Sequence, residues 1–247
     1  MPEFDFSAPR LFVDAALREG EKIALQRNQS NYLGNVLRLA AGDNILVFNG
    51  RDGEWRAAIE GRKRADGLSI IAQTRPQDRL PDVAYVFAPL KHARLDYMVQ
   101  KAVEMGASRL QPVLTRHTQV SRVNSERMRA NVIEAVEQCG ILSLAEVNEP
   151  IALDRFLDKR QTTRLLVFCD EASDVGAPVP ALQAAQAAAG IDILIGPEGG
   201  FAEEERALLL RQPNTLRLSL GPRILRADTA GVAALALVQA ALGDWRS

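Results

Sequence analysis

Hydrophobic and polar positions follow two rhythms along this chain. Up to about residue 75 the apolar runs are short and evenly spaced. Arg10-Leu11-Phe12-Val13, Ile45-Leu46-Val47-Phe48, Trp55-Arg56-Ala57-Ala58-Ile59 and Leu68-Ser69-Ile70-Ile71 read as strands. Turn signals separate them at Gly42-Asp43, Asn49-Gly50-Arg51-Asp52-Gly53 and Asp66-Gly67. Such spacing predicts a small β-barrel. One helix is predicted among these strands, Asn31 to Leu39, with Leu33, Val36 and Leu37 on one face and Arg38 at its end. Residues 76–82, polar with Pro76 and Pro81, read as a linker.

From Val83 the rhythm changes to strands alternating with helices. Val83–Ala88, Arg109–Leu114, Leu144–Val147 and Leu165–Cys169 are predicted strands, with Pro112 arguing for an edge or an irregularity. His92–Met105 and Asn124–Cys139 keep a 3.6-residue period, and Pro180–Ala189 is a helix that Gly190 would cap. The last helix, Asp228–Leu242, is almost all Ala, Val and Leu, which predicts burial. The alternation implies a mainly parallel sheet with helices on both faces. The expected domains are 1–75 and 83–247.

Two stretches within the second part stand out. The run Ile191-Asp192-Ile193-Leu194-Ile195 stops at Gly196, and Pro197-Glu198-Gly199-Gly200-Phe201 leads into a helix at Ala202-Glu203-Glu204-Glu205. A second strand, Leu216–Leu220, runs into Gly221-Pro222-Arg223-Ile224-Leu225-Arg226-Ala227-Asp228-Thr229-Ala230. Ligands of open α/β sheets sit beyond the carboxyl ends of the strands. Glycines at Gly199 and Gly200 allow backbone to approach a ligand with no Cβ between.

Composition narrows the chemistry. Only Cys139 and Cys169, and only His92 and His117, are present, so neither a disulfide scaffold nor a Cys or His metal site is expected. No secretory signal or membrane span is read, and a cytoplasmic location is expected. Net charge is −1, which does not announce a nucleic-acid binder. Of the 30 basic residues, however, only Lys22, Lys63, Lys91, Lys101 and Lys159 are lysine. Arginine suits phosphate recognition, although codon bias would give the same composition. Arg10 and Arg38 could reach phosphates from the barrel or be ordinary surface charge.

The common nucleotide and hydrolase fingerprints are absent: no P-loop, no G-x-G-x-x-G after a strand, and no G-x-S-x-G elbow. A cofactor held mainly by loop backbone remains. An adenosyl group suits such loops, with Ile195, Leu220, Ile224 and Leu225 as its apolar walls.

The residues then show a resemblance. The chain resembles the bacterial 16S rRNA (uracil-N3) methyltransferases of the SPOUT superfamily. The resemblance rests on Arg10–Val13, Val36-Leu37-Arg38 with Gly42-Asp43, Gln100–Gly106, Glu134–Gly140, Ile195–Phe201 and Leu220–Ala230, in the family's order. Two departures stand out: Ile141 and Ala145 replace the family's usual Arg and Pro, and Asp228 replaces its frequent Glu.

The resemblance implies an α/β, trefoil-knotted catalytic domain behind a PUA-like barrel that binds RNA. It implies a homodimer acting on 16S rRNA in the small ribosomal subunit, without metal, and with S-adenosylmethionine as cofactor. Cys169, Glu171, Ile195, Gly196, Pro197, Gly199, Gly200, Leu220, Gly221, Ile224, Leu225, Thr229 and Ala230 would hold that cofactor. Arg10, Arg38, Arg116 and Gln138 would meet RNA. Arg226 and Glu198 are the catalytic candidates; Glu137 is a second candidate base. Two alternatives are a related methyltransferase with another rRNA or tRNA target, and a non-catalytic RNA-binding ribosome-assembly protein.

Overall fold

The computed structural model describes residues 8–61, 65–120, 122–173, 177–185 and 189–246. They form two compact units. One comprises the chain up to Arg79 together with Val136–Leu144; the other comprises Leu80–Ala135 and Ala145 onward. Gln77, Asp78 and Arg75 belong to the first unit and bond its second segment. Arg75 Nη2 donates to the Gly140 carbonyl at 2.9 Å, and the Leu142 amide donates to Asp78 at 2.8 Å.

The first unit is built on a five-stranded sheet. Its strands are β1 (Arg10–Phe12), β2 (Lys22–Ala24), β3 (Asn44–Phe48), β4 (Glu54–Glu60) and β5 (Gly67–Arg75), in the order β1-β3-β4-β5-β2. β1 runs parallel to β3, and the other pairs are antiparallel. Alternation places Ile45, Val47, Leu68 and Ile70 on one face, where they pack with Leu11, Val13, Leu17 and Leu33. On β4 the buried residues are Glu54, Ala57 and Ile59, a spacing of three and then two. The register with β5 shifts between Glu54 and Trp55 and again between Arg56 and Ala57, each time passing over one residue of β5, Thr74 and then Ile71.

The helix expected at Asn31–Leu39 is displaced. It begins as α1 (Arg27–Asn31) and widens into a π-turn at Tyr32–Val36. The amide of Leu37 bonds the carbonyl of Tyr32, an i→i+5 link. The wider turn takes Val36 off the face of Leu33: Leu33 is buried while Val36 is 61% exposed. Arg38, at φ 57°, ends the segment in a left-handed conformation.

The second unit is a parallel sheet of seven strands. They are β6 (Val83–Phe87), β7 (Arg109–Leu114), β8 (Glu146–Val147), β9 (Ile151–Ala152), β10 (Leu165–Cys169), β11 (Ile191–Ile195) and β12 (Thr215–Leu218). Their order is β12-β10-β11-β6-β7-β8, with β9 also beside β7. Helices α2 (His92–Glu104), α3 (Ser125–Cys139), α4 (Leu153–Lys159), α5 (Pro178–Ala184), α6 (Glu203–Leu210) and α7 (Ala227–Leu242) connect and cover them. Every residue of β6 and of β11 is buried, as a strand covered on both faces requires. Ala84, Val86, Phe168 and Leu194 pack with α4 and α6 on one face. Tyr85 meets α7 on the other. A Cβ at Gly231 would lie 2.2 Å from the Tyr85 hydroxyl, so α7 approaches β6 this closely only because Gly231 has none.

Pro112 is buried inside the sheet, and the irregularity lies in its neighbour. β8 ends opposite Leu110 and β9 begins opposite Val113, so the flanking strand is broken beside Gln111-Pro112. The Gln111 side chain bridges the break, accepting from Asn148 and donating to the Glu149 carbonyl. The helix expected at Pro180–Ala189 is shorter, Pro178–Ala184, and residues 186–188 lie outside the described set. Gly190 (φ 97°) therefore does not cap it. It sits against Arg164 and Asp82, where a Cβ would come within 2.3 Å of the guanidinium.

Candidate functional site

β10, β11 and β12 are neighbours, so the three loops leaving their carboxyl ends meet. Between them lies a cleft of about 780 Å³. The first loop starts at Cys169-Asp170-Glu171, the second is Gly196–Ala202, and the third is Ser219–Arg226.

Sequence dictates the shape of the second loop. Phe201 folds back over Gly196, where a Cβ would meet its ring at 2.6 Å, and packs edge-on against Phe168 with centroids 5.3 Å apart. The Gly200 amide closes a turn on the Pro197 carbonyl at 2.9 Å, and Gly200 takes φ 67°. His117 lies under this turn, its Nδ1 3.1 Å from the carbonyl oxygens of both Gly199 and Gly200. Both are acceptors, so Nδ1 is assigned the proton. Glu205 then anchors the start of α6, accepting from the Ala202 amide at 2.9 Å and the Arg116 amide at 2.8 Å.

Asp170 organises the first loop. It is buried, and it accepts from Arg206 on α6 at 3.0 Å and from Arg217 on β12 at 3.1 Å. Burial alone would raise its carboxyl. Hydrogen bonds from Arg206, the Ala172 amide and Arg217 outweigh that and hold it below the usual carboxylate range. Beside it, burial pushes the Cys169 thiol up to about 12, so this cysteine is a neutral wall residue.

The third loop is the most exposed. Gly221 takes φ 102°, and Ile224 is 96% exposed although it borders the cleft. Arg226 is the residue before α7, in extended conformation, with its carbonyl accepting the Ala230 amide at 2.8 Å. Its side chain is exposed and makes no ion pair or hydrogen bond among the described residues.

Of the cofactor residues expected from sequence, Cys169, Glu171, Ile195, Gly196, Pro197, Gly200, Leu220, Gly221, Ile224, Leu225 and Ala230 border the cleft; Gly199 and Thr229 do not. Glu198 borders it and Arg226 does not. The ion pair that Asp228 could have formed with Arg226 is formed with Arg94 instead. Arg94 Nε lies 3.1 Å from Asp228 Oδ2, and Arg94 Nη1 bonds Glu198. Sequence reading missed Arg94, Asp170, Arg206 and His117. The available signal for Arg94 was its place in the first turn of α2, just beyond the carboxyl end of central β6.

The expected RNA contacts divide differently. Arg10 is a correction: its side chain is 4% exposed and its Nε bonds buried Glu54 at 3.0 Å, so it has no free face for a phosphate. Arg38 and Gln138 are exposed. Arg116 is exposed too, 3.6 Å from Glu204 in a solvated pair that holds it weakly. Glu137 accepts the Phe12 amide at 2.8 Å, a structural contact in the first unit. Among the described residues, no His, Cys, Asp and Glu side chains group as metal ligands, and no helix is long and apolar enough to cross a membrane.

The cleft's lining suits an adenosyl sulfonium. Ile195, Leu218, Leu220, Leu225, Ala227 and Ala230 offer apolar walls for rings. Glu171, Glu198 and Glu203 line the cleft beside Arg206 and Arg223, and Arg206 is held by Asp170.

Comparisons with known proteins agree with this geometry. Residues 77–239 match the family model of an RNA methyltransferase domain, and residues 25–67 match that of an RNA methyltransferase PUA domain. The ribosomal RNA small subunit methyltransferase E of Rickettsia conorii is 31% identical over 232 residues, covering 93% of this chain and 94% of its own. A protein of that name from Neisseria gonorrhoeae, solved bound to S-adenosyl methionine, superposes with a TM-score of 0.85 at 26% identity, covering 96% and 99% of the two chains. A Legionella pneumophila protein solved with the same cofactor gives 0.81 at 28%, covering 95% and 98%.

Proposed function

The chain belongs to the ribosomal RNA small subunit methyltransferase E family, and from that premise we propose that it methylates N3 of a uridine in 16S rRNA. The observation that carries this reading is the cleft at the carboxyl ends of β10, β11 and β12, with apolar walls and two glycine-bearing loops around it. S-adenosylmethionine is the cofactor, and when bound it supplies an electrophilic methyl group. Gly200 and Gly221 would leave backbone room for it, while Ile195, Leu220 and Leu225 would flank its adenine.

Uridine N3 carries a weakly acidic proton that must leave as the new bond forms. Glu198 is at the cleft and would accept it. Negative charge would then build on the uracil carbonyl oxygens. Arg226, exposed and without a partner among the described residues, would hold one of them. Positioning of the base against the methyl group supplies much of the remaining rate. The PUA-like unit would bind RNA, with Arg38 and Gln138 as its candidate contacts. The active assembly would be a homodimer in the cytoplasm.

The test is direct. Calorimetry should show S-adenosylmethionine binding to the purified protein, and mass spectrometry of digested rRNA should show 3-methyluridine after reaction with small subunits. Finding 5-methyluridine or a ribose 2′-O-methyl group would overturn the N3 assignment. An absence of cofactor binding would favour a non-catalytic assembly protein.

A further inference from the structure

Arg94 brings two loops of the cleft together. It lies in the first turn of α2, just after the segment Ala88–Lys91 that leaves β6. The Ala88 amide donates to the Ile195 carbonyl at 3.0 Å, fixing that segment beside the end of β11. From there the guanidinium reaches Glu198 on the glycine loop and Asp228 in the first turn of α7. One planar group thus joins segments that are thirty residues apart in sequence.

Stability does not account for this arrangement. The Arg94 and Glu198 side chains are 33% and 42% exposed, and pairs that open to water stabilise little. Among the described residues Arg94 Nη2 is enclosed with no hydrogen-bond partner, which costs stability. Local costs of this kind are expected where a site needs a fixed geometry. What the geometry fixes is Glu198. Its Oε1 accepts from Arg94, and among the described residues its Oε2 has no partner. An unrestrained glutamate on an exposed loop would sample many rotamers. A clamped one keeps a single oxygen available at the cleft.

We infer that Arg94 is a positioning residue: it holds Glu198 in the orientation in which Glu198 Oε2 accepts the N3 proton of the target uridine. The inference rests on the proposed reaction, and it deepens that reaction by naming what orients the proton acceptor. Asp228 completes the clamp by holding Arg94 Nε. The planar fork matters, because a lysine's point charge cannot bond two carboxylates in fixed directions.

The experiment is a double-variant cycle on the full-length protein, read as the single-turnover methylation rate with saturating cofactor and small subunits. Arg94→Met keeps the stem and removes charge and donors; Glu198→Gln removes the acceptor. Each should slow methyl transfer by about 10²-fold, the scale of losing one positioned catalytic interaction. Cofactor affinity by calorimetry should fall far less than the rate, because neither change touches the apolar walls. The double variant should be no slower than the slower single, since both changes break one unit. Arg94→Lys should recover only a small part of the rate.

Three results would overturn the inference: an unchanged rate in Arg94→Met, slowing that multiplies in the double variant, or a loss confined to cofactor affinity or melting temperature. If Arg94→Met does not fold, Arg94→Lys takes its place in the cycle with the same expected non-additivity. The wild-type product separates this inference from the reaction it rests on. A different methylated nucleoside refutes the N3 assignment and the uridine role of Glu198 together, before any variant is made. With 3-methyluridine confirmed, only the cycle can remove Arg94.

Discussion

Replacing Arg10 by alanine should destabilise the N-terminal unit and leave phosphate contacts untouched. Glu54 is 3% exposed and accepts from four donor groups: Arg10 Nε at 3.0 Å, Arg75 Nε at 3.0 Å, Arg75 Nη2 at 2.7 Å and Thr74 Oγ1 at 2.8 Å. Because Arg10 and Glu54 are both almost wholly buried, water does not screen the pair. Stripping a buried charge of its partner costs about 3–5 kcal/mol. Here Arg75 and Thr74 remain, so the loss should be smaller, about 2–3 kcal/mol, part of it from the cavity left by the arginine stem. At this chain length that corresponds to roughly 5–10 °C in melting temperature.

The pH dependence has a definite sign. Burial would raise the Glu54 carboxyl, but the bonds from Arg75, Thr74 and Arg10 outweigh it and hold the group below its ordinary range. A depressed folded value contributes stability above the unfolded value of about 4.3, and that stability is lost as pH falls through the folded value. With one donor fewer, Arg10→Ala should lose stability at higher pH than wild type. Calorimetric melts from pH 3 to 7 and RNA binding against salt would be measured together. Arg38→Ala is the control: melting should hold, and the salt slope of RNA binding should fall by about one unit if Arg38 meets a phosphate. If Arg10→Ala melts like wild type and flattens the salt slope, the structural assignment of Arg10 is wrong.

Three further outcomes are expected. Gly200→Val should keep the far-ultraviolet dichroism of the wild type but lower S-adenosylmethionine affinity by tenfold or more in calorimetry, because a branched residue at φ 67° must reshape the turn. Arg226→Ala should lower kcat by about 10²-fold with little change in cofactor affinity, with poor rescue by Arg226→Lys; a fall in melting temperature at unchanged kcat would make the residue structural. Asp170→Asn should weaken cofactor binding and lower the melting temperature at pH 7, and the difference from wild type should shrink as pH falls below about 4, where the unfolded carboxylate takes up a proton, and be lost once pH falls through the depressed folded value.

Local pattern was enough for much of this molecule. Short apolar runs between turn signals placed β3, β4 and β5, the 3.6-residue period placed α2 and α3, and a run apolar all round placed α7, because the burial of each element is written in its local chain. The two glycine-bearing loops were legible for the same reason: a strand that ends on glycine before a helix start exposes backbone where ligands of such sheets lie. Where propensity and packing compete, the pattern failed. The i→i+5 turn at Tyr32–Val36 keeps Leu33 in the core and turns Val36 outward, and nothing in the spacing of 33, 36 and 37 announces it. The short strands β2 and β9 and helix α4 carry too few residues to show a period.

Charged residues were the hardest to place, because an arginine's role depends on what faces it. Arg10 and Arg38 look alike in sequence, yet Glu54, itself held by Arg75, reaches Arg10 from a strand more than forty residues away, while Arg38 faces solvent. Arg94 gave no local sign of its partners, which come from residues 104 and 134 positions along the chain. Sequence determined which backbone could come close to a ligand. Only the strand order β12-β10-β11-β6 decided which side chains would surround it, since ion pairs form between neighbours in space and that order makes distant segments neighbours.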